Sequence, residues 1–183
     1  YRVSGDGTIR VRNTVTPAGR LPVLPRMGVR LMLDGALEQM AYYGRGPWEN
    51  YADRNTGSDL GFYTSTVTEQ YVPYVRPQEC GGKSDVRWVA FTDRSGDGVH
   101  ISFPKPFFVT ALHVTSEDLE GARHRNGMER IYNPLRPRPE ICLALDAGQT
   151  GLGGASCGPI PLEKYILRAQ PFDYTYILRP CRD

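Results

Sequence analysis

Short runs of alternating apolar and polar residues, closed off by turns carrying glycine, proline or aspartate, recur along the whole chain and limit its folds more than any other feature. A period of two puts successive side chains on opposite faces of a strand. Between Thr8 and Val15 the apolar positions are Ile9, Val11 and Val15. Met27, Val29, Leu31 and Leu33 alternate with Gly28, Arg30 and Met32; Asp34-Gly35 then supplies a turn, and Gln39–Gly44 completes a predicted hairpin. Val86, Trp88 and Ala90 are expected on one face of a strand, with Arg87 and Val89 on the other. Asp93–Gly98 turns into a strand at Val99–Phe103, and further strands are expected at Phe107–Val114, Glu140–Leu145, Glu163–Gln170 and Tyr174–Leu178. A helix is predicted from Ser116, the hydroxyl serving as N-cap, to about His124, and Pro47 suits the start of a second helical turn. Nine or ten strands in 183 residues predict one all-β domain, residues 1–183, built as a two-sheet sandwich with one or two short helices.

Composition closes off the alternatives. Gly and Pro number 20 and 15, too many for a helical bundle. No apolar run approaches the ~20 residues of a membrane span, and a net charge of +2 gives no electrostatic case for a nucleic-acid or membrane partner. Of 22 cationic residues only Lys83, Lys105 and Lys164 are lysines, and the arginines are interleaved with acids, as in ion-paired surfaces and interiors. The chain opens at Tyr1 in strand-like sequence, as a piece of a longer protein would. Cys80, Cys142, Cys157 and Cys181 fit no metal-ligand spacing and are expected as free thiols, without zinc.

Three segments carry the side chains that chemistry would need. Gly44-Arg45-Gly46-Pro47-Trp48-Glu49-Asn50-Tyr51-Ala52-Asp53-Arg54 presents an aromatic ring, carboxylates, an amide and a guanidinium close together. That inventory serves a sugar, with a ring for its apolar face and forks for its hydroxyls; it serves equally as an ion-pair cluster pinning a loop. Tyr71-Val72-Pro73-Tyr74-Val75-Arg76-Pro77-Gln78-Glu79 runs through a Gly81-Gly82 turn into the strand bearing Asp85, Arg87 and Trp88. Candidate sugar-binding residues are therefore Trp48, Glu49, Arg54, Glu79, Arg87 and Trp88. In the ion-pair reading, Arg54 pairs with Glu49 or Asp53, Arg87 pairs with Asp85 or Glu79, and both pairs are partly buried. Gly151-Leu152-Gly153-Gly154-Ala155-Ser156-Cys157-Gly158-Pro159 is a glycine-rich loop tip. Pro159 and Pro161 prevent the helix that a phosphate loop requires. His100, His113 and His124 are isolated from one another and read as structural.

Together and in this order, the three segments resemble the C-terminal small-chain domain, domain 5, of large bacterial β-galactosidases of glycoside hydrolase family 2. The likeness is clearest over residues 23–178, with Leu24-Pro25-Arg26-Met27-Gly28 leading into the first long strand. It implies a β-supersandwich of the galactose mutarotase-like class that is an accessory to hydrolysis of terminal β-galactosides and is not catalytic alone. The two catalytic glutamates, and any magnesium and sodium, then belong to a (β/α)8 barrel absent from this chain. This domain would hold no cofactor, and its partners would be the barrel, the other domains of the parent, and galactosides, in a parent enzyme that is a homo-oligomer. The resemblance places Ser156 and Cys157 on a loop near the substrate mouth, with Cys157 where the best-known members carry tryptophan.

Two other functions fit the same residues: a stand-alone carbohydrate-binding module using Trp48, Trp88 and tyrosines, and an aldose mutarotase or epimerase with His113 as acid and Glu79 as base.

Overall fold

The structure, a computed structural model, describes residues 1–122, 135–154 and 158–182. Nine strands are seen among them: β1 Arg2–Val3, β2 Ile9–Val15, β3 Arg26–Leu33, β4 Gln39–Gly46, β5 Asp59–Thr66, β6 Lys83–Thr92, β7 Gly98–Leu112, β8 Ile141–Gln149 and β9 Phe172–Cys181. All pairings are antiparallel. One path runs β1-β2-β9-β7-β6-β4-β5, and β8 with its partner β3 branches from β7.

The branch is made by β7. Its first part, Gly98–Ser102, pairs with β9, and its last part, Phe108–Leu112, pairs with β8. Pro104 and Pro106 fall between the two ladders, where no N–H donor is called for. What reads as two strands in the sequence is thus one 15-residue strand shared by both branches. A single core draws Val11, Tyr174 and Tyr176 from one branch and Ile141, Leu143 and Leu145 from the other, closing the all-β sandwich. A satellite cluster of Cys80, Leu112, Val114 and Leu119 packs the Tyr71–Tyr74 segment onto the end of β7.

Several local expectations are corrected. The Asp34-Gly35 turn exists, with Leu37 N donating to Asp34 O, but it joins no hairpin: β3 pairs with β8 and β4 with β5 and β6. Val86, Val89 and Phe91 face the core, whereas Trp88 and Ala90 do not. The register of β6 on β7 shifts between Lys83 and Val86 and again before Trp88, and each irregularity can reverse which face a residue meets. Glu163–Gln170 is no strand; it begins with a 3₁₀ turn at Glu163–Tyr165. Pro47 starts no helix, because the Asn50 amide donates to the carbonyls of Arg45 and Trp48 and folds the segment into a loop. The helix α1 spans Ser116–Gly121, and its N-cap is Thr115, which exchanges hydrogen bonds with Asp118 in a capping box. His124, Ser156 and Cys157 lie outside the described residues. Cys80, Cys142 and Cys181 are free thiols, with burial pushing the Cys80 thiol up to about 11.

Candidate functional site

The Gly44–Arg54 segment leaves β4 and ties the other two segments together. Asn50 is fully buried, accepting from Ser84 N at 2.8 Å and Ser84 Oγ while donating to the Arg45 and Trp48 carbonyls. Glu49 accepts from Gly81 N at 2.8 Å, from the Tyr74 hydroxyl and from Arg54 at 3.0 Å. It thereby holds the proline-rich segment and its Gly81 turn. Asp53 accepts from Leu152 N at 3.1 Å and Gly153 N at 2.7 Å, fixing the base of the glycine-rich loop. A Cβ at position 151 would meet the Asp53 carboxylate at 2.6 Å, so glycine is required by this close approach. Past it, Gly154 N donates to Pro159 O at 2.9 Å across the loop.

Glu79 is anchored to the sheets. Arg26 on β3 donates to Glu79 at 3.1 Å and to Asp146 on β8 at 2.9 Å, and Thr110 on β7 donates to Glu79 at 3.3 Å. Burial pushes both carboxyls above their ordinary values, with Arg26 opposing the shift. Lys83, also buried, donates to Gly81 O at 3.3 Å, and desolvation lowers it to about 8 against the pull of Glu49.

The sugar-binding candidates are split by this geometry. Glu49 and Arg54 do meet, and Arg54 also lies over the buried Tyr51 ring at 5.1 Å. Trp48, 76% exposed, projects from the loop. Arg87 pairs with neither Asp85 nor Glu79 through their carboxylates. It donates to the Asp85 carbonyl and lies 5.9 Å over Tyr43, while Asp85 takes Arg45 at 2.6 Å. The cause is local: Asp85 has φ +55° in the irregular start of β6, so the two side chains do not share a regular strand face. Trp88 sits between Phe62 at 5.8 Å and His100 at 5.3 Å. Nor does His113 meet Glu79: Nε2 is 2.8 Å from Glu38, and Nδ1 is 3.1 Å from Glu140 O. The acid–base pair a mutarotase would need is therefore not assembled there.

Arg26, Thr110 and Asp146 were not foreseen as part of this arrangement. Asp146, an acid ending the apolar run Ile141–Leu145, was the one visible signal. Among the described residues no three His, Cys, Asp or Glu side chains gather as a metal set.

The ion pair predicted for Arg54 is present but half exposed, so Arg54→Ala should cost about 1 kcal/mol or less. Glu49→Ala strips an N–H, a hydroxyl and a guanidinium of their acceptor and should cost about 2–3 kcal/mol. Urea titration of the two variants checks the order; equal losses would place the weight on the arginine.

The beta galactosidase small chain family matches residues 1–178. The β-galactosidase of Priestia megaterium is 33% identical over 84% of this chain, which corresponds to 14% of that protein. β-Galactosidase BgaC of Bifidobacterium adolescentis is 36% identical over 88% of the chain and 15% of its own length. The β-galactosidase of Lactobacillus delbrueckii subsp. bulgaricus is 35% identical over 84% of the chain and 14% of its length. The chain thus spans about a seventh of each relative. With nearly its whole length matched, and the three matching segments joined through Glu49, Asn50 and Asp53, the chain belongs to the beta galactosidase small chain family.

Proposed function

We propose that this chain is an accessory domain of a β-galactosidase: it buttresses a catalytic barrel elsewhere in the parent polypeptide and does not hydrolyse galactosides alone. The observation that carries this reading is the engagement of the motif carboxylates. Glu49, Asp53, Glu79 and Asp85 each hold one part of the chain to another. A retaining glycosidase instead needs two carboxyl groups ~5–5.5 Å apart, one to protonate the leaving group and one to attack. The loop based on Leu152 and Gly153 brings Ser156 and Cys157 to the substrate mouth. Magnesium and sodium, where the parent uses them, belong to the barrel, and the parent acts as a homo-oligomer.

The test is hydrolysis of a nitrophenyl β-galactoside by the 183-residue chain and by the longer polypeptide that contains it. Turnover is expected from the longer polypeptide alone. Activity of the short chain that survives repurification and disappears in Glu79→Gln would overturn the reading. In the longer enzyme, saturating galactose should slow thiol labelling of Cys157 relative to Cys181, read by mass mapping of peptides; indifference to sugar would remove Cys157 from the substrate mouth.

A second reading, a carbohydrate-binding module, is favoured by exposed Trp48 and by the Phe62–Trp88–His100 row. Calorimetric titration of the isolated chain with galactose and lactose tests it, and heat of binding lost in Trp48→Ala would support it.

A further inference from the structure

The division of β7 leaves a strand edge without a ladder. β9 pairs with β2 along Phe172–Leu178, but with β7 only from Ile177 to Cys181. On the side away from β2, Phe172–Tyr176 therefore has no strand partner among the described residues. A cleft of about 650 Å³ lies against that edge, walled by Pro104, Lys105 and Phe107 of β7 and by Ala147 of β8. An extended residue fills roughly 160 Å³, from a rise of about 3.3 Å, a strand spacing of about 4.8 Å and a layer thickness of about 10 Å. The cleft thus holds about four residues of extended chain, close to the five of the open edge.

The charges at the rim point to the kind of occupant. At the rim, Asp173 is paired with Arg12 and also lies in the field of Lys105, so two cations share one carboxylate and the rim favours an acidic side chain. Uncovered edges with apolar walls are a hazard for a folded protein and are ordinarily paired or covered.

We propose that an extended segment of the parent polypeptide, from outside these 183 residues, adds as a strand to Phe172–Tyr176 and sets an acidic residue against Lys105. This rests on the accessory-domain reading, and on relatives some seven times longer than the chain. Strand addition satisfies main-chain groups and reads alternate side chains, which suits the mixed lining of the cleft.

The experiment is hydrogen–deuterium exchange on the longer enzyme and on the isolated chain, read on peptides covering Phe172–Tyr176. At least tenfold slower exchange is expected in the longer enzyme. A photocrosslinker on Lys105→Cys in the longer enzyme should attach to a peptide from outside residues 1–183. Equal exchange in the two proteins, or crosslinks only within the domain, overturns the proposal. Protection that appears in the isolated chain on raising its concentration also overturns it, by naming a second copy as the occupant. A gene product with no residues beyond these 183 sinks the accessory reading together with this one. A longer, active enzyme with unprotected Phe172–Tyr176 sinks this one alone.

Discussion

Replacing Asn50 by alanine should cost about 4 kcal/mol, because it strands two carbonyls, an N–H and a hydroxyl in a site without water access, at roughly 1–3 kcal/mol for each group not rescued by relaxation. The side chain is fully buried and makes all four bonds at once. A domain stable by about 5–15 kcal/mol would lose much of its margin. Asn50→Asp is the sharper probe. It keeps the acceptor for Ser84 but turns a carboxylate oxygen toward the carbonyls of Arg45 and Trp48. Asn50→Asp should therefore be the worse variant at neutral pH and should recover in acid, where a protonated carboxyl can donate again. Chemical denaturation at pH 7 and pH 4 reads both effects. An Asn50→Asp variant as stable as wild type at pH 7 would mean that the loop is not held by this amide.

Arg26→Ala should be nearly as costly, at about 3 kcal/mol, since it leaves Asp146 and Glu79 inside the fold without their cation. Asp146 has a side chain only 4% exposed. Burial already raises both carboxyls above their ordinary values in the folded protein. A carboxyl raised by folding binds its proton more tightly in the native state than in the unfolded one. Its contribution to stability is fully present below the unfolded value and is lost as pH rises through the folded one. Removing Arg26 raises both further, so the deficit should be largest at neutral pH and shrink toward pH 4. The exposed pair Arg12–Asp173 has the opposite sign: the hydrogen bond from Arg12 lowers Asp173, and what stability it gives disappears in acid. Melting curves of Arg26→Ala and wild type across pH 4–8 test this; a gap independent of pH would show that the cluster is held by packing.

Strands whose apolar face meets the core were readable, as Met40 and Tyr42 on β4 and Ile141, Leu143 and Leu145 on β8 illustrate. β5 escaped notice because its outward residues include Leu60 and Phe62, both substantially exposed, so its alternation gave no clear inner face. Glu163–Gln170 misled because its mixture of apolar and charged residues looks alike in a strand and in a short turn. The Asp34-Gly35 turn was readable, but a turn fixes only where the chain reverses. Whether β3 pairs with β4 or with β8 is decided by more than 100 intervening residues. The three motifs were legible as segments. Their partners were not: Asp53 meets Gly153 and Arg26 meets Asp146 across about 100 residues or more, and no local pattern encodes such pairs.

The position of β9 also governs how this chain folds. The last strand made lies in the interior of the order, between β2 and β7, with Leu178 paired to Ile9. Within the domain, β1 and β2 precede every other strand yet have no place to dock until residues near 178 emerge. Closing so long a loop delays the reward of pairing, so the domain should fold late and slowly for its size. Until then β2 waits as an unpaired strand, the kind of intermediate that invites aggregation during synthesis. Deleting residues 174–183 would remove the strand that joins β1 and β2 to the rest of the sheet and cut them loose.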